Sequence, residues 1–212
     1  MLLEPMLEHV DLKRRAVLET PNKAVENVYF VETGVASVVA VNRGERIEVA
    51  LIGCEGMSGV TVVMGNHRSP NSIYMQIEGE AYALDAGALR KALDRSASLR
   101  AVLLRYAQVF MTQASQTAIA NGRAKLGERL ARWLLMAHDR MSGDDVPLTH
   151  EFLSVMLGVR RASVTVALDV FRKDGLIEVR RGGITMLDRK AIERTAGGFY
   201  GTPEAEFRRL IG

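Results

Sequence analysis

Apolar positions in this chain keep a short period over residues 25–85 and a helical one after it. In the first stretch they fall in brief blocks: Val28-Tyr-Phe-Val31, Val35-Ala-Ser-Val-Val-Ala-Val41, Arg46-Ile-Glu-Val-Ala-Leu-Ile52 and Ser72-Ile-Tyr-Met-Gln-Ile77. These blocks are rich in β-branched and aromatic residues, which suit a pleated, half-buried surface. Turn residues separate them: Glu32-Thr-Gly34, Asn42-Arg-Gly44, Gly53, Gly56, Gly59 and Gly79. Short strands at this spacing predict a small antiparallel barrel or jelly roll. Residues 1–20 read as a short helix packed on its outside.

From Ala86 the period becomes helical. Ala88 to Leu93 makes a short helix, and a long one runs from about Ser98 to Asn121. Along the long helix Leu99, Leu103, Tyr106, Phe110, Gln113, Thr117 and Ala120 step by four and three, a heptad seam sustained for roughly three repeats. Such a stripe also serves to cover a barrel. At about 1.5 Å per residue, however, the helix extends roughly 36 Å, more than a barrel of about 60 residues covers. A partner helix is therefore expected, and Leu99, Leu103, Tyr106, Phe110, Gln113 and Thr117 are the candidate dimer contacts. Asn121-Gly122 reads as a hinge. Lys125 to His138 forms the next helix, with Leu126, Leu130, Trp133, Leu134 and Ala137 on one side and Trp133 as a core anchor.

Residues 148–187 carry the most chemistry. Thr149 is a good N-cap, and Glu151 in the first turn suits the helix dipole. Phe152, Leu153, Met156 and Leu157 recur at helical spacing, and Gly158 permits the left-handed turn between two crossing helices. A second helix starts near Arg160 or Arg161, burying Val164, Ala167, Leu168 and Phe171. That leaves Arg160, Arg161, Ala162, Ser163, Thr165 and Val166 at its exposed N-terminal half, the end that meets base edges in helix-turn-helix proteins. An arginine there can bond guanine O6 and N7 together, and Ser or Thr can reach phosphates or bases. Two apolar runs, Leu176 to Val179 and Ile184 to Leu187, joined by Arg180-Arg181-Gly182-Gly183, predict a hairpin wing with two cations at its tip. Thr149, Arg160, Arg161, Ser163, Thr165, Arg180 and Arg181 are the candidate DNA contacts. Arg189 to Thr195 reads as a short helix. In the tail from 197 to 212, Pro203 to Leu210 reads as another, with no function legible.

Charge placement supports this reading. The chain of 212 residues has a formal net charge of only +3. Between residues 149 and 196 nine Lys or Arg face six Asp or Glu, so the whole surplus sits in the helix-turn-helix part. No apolar run approaches a membrane span, and the start, Met1-Leu-Leu-Glu-Pro-Met-Leu-Glu-His9, lacks the pattern of a signal peptide. A cytoplasmic location is expected. One cysteine, Cys54, excludes an internal disulfide or a multi-thiolate cluster and reads as a free, inert thiol. The four histidines are His9, His67, His138 and His150, with no His-x-His pair of the kind metal-dependent barrel enzymes use. Gly56-Met-Ser-Gly59 is not a nucleophile elbow, and no phosphate-binding loop is present. No enzyme activity, metal or cofactor is expected.

The order of parts, β-barrel, long helix and winged helix-turn-helix, resembles the cyclic-AMP receptor/fumarate-nitrate regulator (Crp/Fnr) superfamily from about residue 25 to 195. The resemblance is most specific in Val28-Tyr-Phe-Val-Glu-Thr-Gly34, Gly127-Glu-Arg-Leu-Ala-Arg-Trp-Leu134 and Leu148 to Ile177. It implies an α+β fold: a cyclic-nucleotide-binding-like jelly roll (residues 1–97), a dimerisation helix (98–121) and a winged helix-turn-helix (122–212). It implies that Arg161 reads guanine and Ser163 meets phosphate, while Ala162 stands where many relatives carry a glutamate. The nucleotide site departs from the family pattern: Gly59-Val60-Thr61 lacks the glutamate that holds the ribose, and Arg68-Ser69-Pro70 has proline in place of alanine. Arg68, Ser69 and, at the base position, Gln113 are the surviving effector candidates. The implied protein is a homodimeric, sequence-specific transcription regulator on double-stranded DNA that does not depend on cyclic AMP. RNA polymerase is a further candidate partner and the small-molecule effector is unknown. The alternatives are a nucleotide- or other small-molecule-gated regulator of the same fold, and a dimer that binds protein and no longer reads DNA.

Overall fold

The computed structural model describes residues 2–212. A short 3-10 turn at Glu4–Met6 leads into β1 (Glu8–Leu12) and β2 (Val17–Glu19), then β3 (Asn27–Val31), β4 (Val35–Asn42) and β5 (Glu45–Ile52). After a one-turn helix α1 (Val60–Val63) come β6 (Ser72–Ile77) and β7 (Gly79–Asp85). The strands form two antiparallel sheets, ordered β1-β7-β3 and β2-β6-β4-β5. Leu12, Val31 and Ala81 from one sheet meet Ala36, Val38, Ala50, Ile52, Ile73 and Met75 from the other in one buried cluster. Sheets that alternate inward apolar residues across such a core make the expected jelly roll.

The N-terminus differs from the helix expected there. Glu8-His-Val-Asp-Leu12 alternates with period two, and Leu12 is buried while Glu8, His9 and Asp11 stay exposed. Pairing with β7, Glu8 opposite Ala83 through Leu12 opposite Gly79, satisfies the backbone where an isolated short helix has no such support. β7 itself, starting at a glycine, is the central strand of its sheet.

Helices follow: α2 (Ala86–Arg95), α3 (Ala97–Arg123) and α4 (Leu126–His138). Asp85 and Ser96 cap the first two by accepting the N–H groups of Ala88 and Leu99. The expected break after Asn121 lies three residues on: Gly122 stays helical, and Ala124 and Lys125 are extended. Glu128 then accepts the Lys125 N–H at 2.5 Å and starts α4.

α4 is buried on nearly every side, from Leu130 to Ala137. One side packs with Leu153, Leu157, Val164, Leu168 and Phe171 of the C-terminal unit, and the same cluster includes Val35, Leu51 and Ile77 on the outer face of the β4-β5-β6 sheet. Polar contacts cross the same boundary. The Trp133 indole N–H donates to Glu48 at 2.5 Å, and Ser37 Oγ donates to the other Glu48 oxygen at 2.6 Å. Arg132, also buried, donates to Thr117 of α3 and to the Phe199 carbonyl, each at 3.0 Å. Arg140 bonds Glu55 of the barrel at 2.8 Å. Trp133 is thus a core residue, as its apolar face predicts, and also the barrel's hydrogen-bond partner.

Burial pushes the Glu48 carboxyl up to about 7, against the opposing pull of the Ser37 and Trp133 bonds and of the Arg132 and Arg140 charges. An acid with a raised folded pKa holds its proton more tightly when folded. Its stabilisation is complete below the ordinary value of 4.5 and is lost as pH rises through about 7. Denaturation midpoints are expected to fall between those pH values, with one proton contributing at most about 1.4 kcal/mol per pH unit. Glu48→Gln should flatten that slope, leaving the smaller share of Glu19, whose carboxyl burial also raises. An unchanged slope in the variant would place the titration elsewhere.

Candidate nucleic-acid interface

The C-terminal unit is built as its sequence predicts. α5 (His150–Leu157) begins at Thr149, whose hydroxyl accepts the Phe152 N–H at 3.4 Å. Gly158 closes it with φ +60°, a conformation that disfavours any residue with a Cβ. α6 (Arg161–Lys173) follows, with Val164, Leu168 and Phe171 buried. The wing consists of β9 (Ile177–Arg180) and β10 (Gly183–Met186), with Arg180 paired to Gly183. The two-residue connection Arg181-Gly182 carries Gly182 at φ +86°, the positive φ that a type II turn places at its second central residue. A third strand, β8 (Asp145–Val146), joins β10 out of a segment that reads as loop. The expected helix α7 (Arg189–Thr195) is present, and α8 (Thr202–Leu210) ends the chain.

On this scaffold Arg160, Arg161 and Arg181 are exposed, and no side-chain hydrogen bond or ion pair engages them among the described residues. The helix dipole adds positive potential at the start of α6, where the first two stand. Arg180, also exposed, pairs with Glu178 at 2.8 Å on its own strand. Ser163 is half-buried. The Thr165 hydroxyl donates to the Arg161 carbonyl at 3.2 Å and lies 3.0 Å from His150 Nδ1, and Thr149 is engaged as the cap. The fold therefore gathers the arginines and Ser163 on open surface and gives the two threonines internal partners. Val166, 65% exposed on α6, was left out of the candidate contacts. An apolar residue on the polar face of a reading helix was the available signal, since apolar side chains contact the thymine methyl.

The candidate dimer residues lie elsewhere than expected. Leu103, Tyr106, Gln113 and Thr117 are buried against this chain's own barrel and α4, while Leu99 and Phe110 pack at the edge of the same cores. The Tyr106 hydroxyl accepts the Met57 N–H and donates to the Met57 carbonyl, and Gln113 does the same with Leu51. A side chain held in this way cannot also meet a partner helix. The open seam runs one or two positions later, through Leu104, Gln108, Met111, Ser115, Ala118 and Gly122, all exposed and again spaced by four and three.

The candidate effector residues do not converge. Arg68 is exposed and donates to the Asn22 carbonyl at 2.8 Å, and Gln113 faces a different cavity. Ser69 is buried beside Glu19, and the Glu19 carboxylate also accepts the Gly59 N–H at 2.6 Å. An internal carboxylate thus fills the space beside Gly59 and Ser69. Among the described residues no group of three or more His, Cys, Asp or Glu is placed to hold a metal, and no helix is long and apolar enough to cross a membrane.

Comparison with known proteins agrees with this geometry. Residues 128–195 match the Crp-like helix-turn-helix domain. The transcriptional regulator LdrP of Thermus thermophilus is 31% identical over 135 residues, covering 57% of this chain and 69% of that protein. The structure of FixK2 from Bradyrhizobium japonicum superposes with a TM-score of 0.77 at 17% identity, over 89% of this chain and 96% of that one. TTHB099, a CRP-family transcriptional regulator from Thermus thermophilus, superposes with a TM-score of 0.72 at 22% identity, over 89% and 97%.

Proposed function

The chain belongs to the Crp/Fnr family of transcriptional regulators, and from that membership we propose that it reads a palindromic DNA operator as a homodimer without needing cyclic AMP. The observation that carries the proposal is the set of unpaired guanidinium groups at Arg160 and Arg161, at the start of α6, and at Arg181 on the wing tip. Arg161 is the base reader. Arg160, Ser163, Arg180 and Arg181 hold the phosphates that set its register.

Residues 1–97 act as the sensor-like unit, the helix from 98 to 121 as the dimer contact and residues 122–212 as the operator reader. Two copies pair through Leu104, Met111 and Ala118, with Val102 and Ile119 beside them, all exposed. RNA polymerase is the partner through which a bound dimer acts on transcription. Independence from cyclic AMP is supported by the separation of Gln113 from Arg68 and by the Glu19 carboxylate beside Gly59. Glu19 and Arg68 line one cavity, so a cyclic phosphate entering there would meet a carboxylate beside an arginine already bonded to the Asn22 carbonyl.

Selection from a random DNA pool should enrich a two-fold symmetric site with no nucleotide added, and cyclic AMP should not change it. Enrichment that requires the nucleotide would overturn this reading of the barrel. Arg161→Ala should relax preference at one base pair in each half-site, costing roughly 1–3 kcal/mol. Arg181→Ala should instead weaken all sequences alike and reduce the salt dependence of binding by about one counterion. Operator preference that survives Arg161→Ala would move the reading residue elsewhere on α6. Met111→Glu, at a position 54% exposed, should leave the thermal midpoint nearly unchanged and yield monomers in sedimentation. A dimer persisting in that variant would argue against this face.

A further inference from the structure

A cavity of about 290 Å³ lies where the barrel, α3 and the C-terminal unit meet, beneath α8. Its apolar walls come from Val109 and Phe110 of α3 and from Pro203 and Phe207 of α8. Cys54 and Glu55 enter from the barrel, and Asp139, Arg140, Arg189 and Tyr200 from the C-terminal unit. Apolar walls with a few convergent polar groups characterise small-molecule sites, and this volume stands at the small end of their range of roughly 300–1,000 Å³.

The charges decide which molecule suits it. Glu55 is held by the Arg140 Nε and Nη2 atoms, at 2.8 and 2.6 Å. Asp139 is held by Arg189 at 2.7 Å and by the Tyr200 hydroxyl at 2.8 Å. Glu204 accepts the Gly201 N–H and lies in the field of Arg132 and Arg140. Arg208 alone among these cations has no hydrogen bond or ion pair among the described residues. Arg140 commits three of its N–H groups, counting the one on the Met136 carbonyl, which leaves two of a guanidinium's five donors. Cationic capacity therefore stands open at Arg208 and Arg140 beside two phenylalanine rings, while one oxygen each of Glu55 and Glu204 has no hydrogen bond among the described residues.

We propose that this cavity is an effector site for a small aromatic carboxylate, its ring between Phe110 and Phe207 and its carboxylate on Arg208. Occupancy joins the barrel loop at Glu55, α3, and the C-terminal unit through Arg140 and α8, so a ligand that fits one relative placement of these parts favours that placement. α8 is the lid. Arg105 of α3 donates to the Leu210 carbonyl at 3.0 Å and ties its end down. The role as an effector site rests on the regulator reading, whereas binding is measured without DNA, so a failed titration leaves that reading standing.

The probe is sodium benzoate, titrated into the full-length protein by differential scanning calorimetry and by isothermal calorimetry. Saturable binding that raises the unfolding temperature is expected. Arg208→Ala, an exposed position that does not threaten folding, should weaken the apparent Kd about tenfold, the scale of one charge-assisted bond. Benzyl alcohol, which keeps the ring and lacks the charge, should bind more weakly by a similar factor. No saturable binding of benzoate, equal binding of benzyl alcohol, or full affinity in Arg208→Ala would each overturn the proposal.

Discussion

A carboxylate buried between two folding units has to be satisfied from both, and Glu48 is. Ser37 serves it from within the barrel and Trp133 from α4, while Arg132 and Arg140 place positive charge nearby. Without these partners a polar group in that position would cost several kcal/mol, depending on the reference state. The contact therefore fixes where the C-terminal unit sits on the outer face of β4 and β5. Met156 of α5 extends the same network, with its sulfur 3.6 Å from Ser37 Oγ. The helix-turn-helix is held on the barrel itself rather than at the end of a tether. Phe152 adds to this by lying under Arg14 of the barrel, 4.4 Å from guanidinium carbon to ring centroid.

The long helix explains why its sequence misleads. It is apolar enough on two faces to support two seams offset by one or two residues, and periodicity alone cannot rank them. The seam with the better heptad look, through Tyr106, Gln113 and Thr117, turned inward because Tyr106 and Gln113 find backbone partners in the barrel and Thr117 accepts from the Arg132 guanidinium of α4. The poorer one, Leu104 to Gly122, was left open. The polar residues Tyr106, Gln113 and Thr117 are the clue: a buried amide or phenol needs a fixed partner, and a strand backbone supplies one more reliably than a second helix.

Much else was legible. Thr149, Gly158 and the Arg-Arg-Gly-Gly turn each obey a local rule, and the fold places them accordingly. Strand blocks rich in Val and Ile were readable for the same reason. What failed was decided by distant sequence. β1 needs β7, β8 needs β10, and residues 8–12 are too few for alternation to outweigh a helix reading. Arg68 and Ser69 stand one residue apart in sequence, yet one side chain points out and the other in, as neighbours in an extended segment do. Motif spacing alone places them on a common ligand.

The two carboxylates buried in this chain do different work. Glu19 accepts the Gly59 N–H beside Ser69 within the barrel, so that backbone group is not left open. Glu48 leaves nothing open either, because both its oxygens are taken. The barrel meets the C-terminal unit at its outer face and at its edge, through Glu48 and Glu55. The junction beneath α8 is where the edge loop, α3 and the end of α4 approach without filling the space between them. A molecule bound at such a boundary contacts the barrel, α3 and the C-terminal unit at once. Differential contact with two arrangements is the physical condition for shifting between them, a condition that the ligand proposed beneath α8 would meet by touching all three parts.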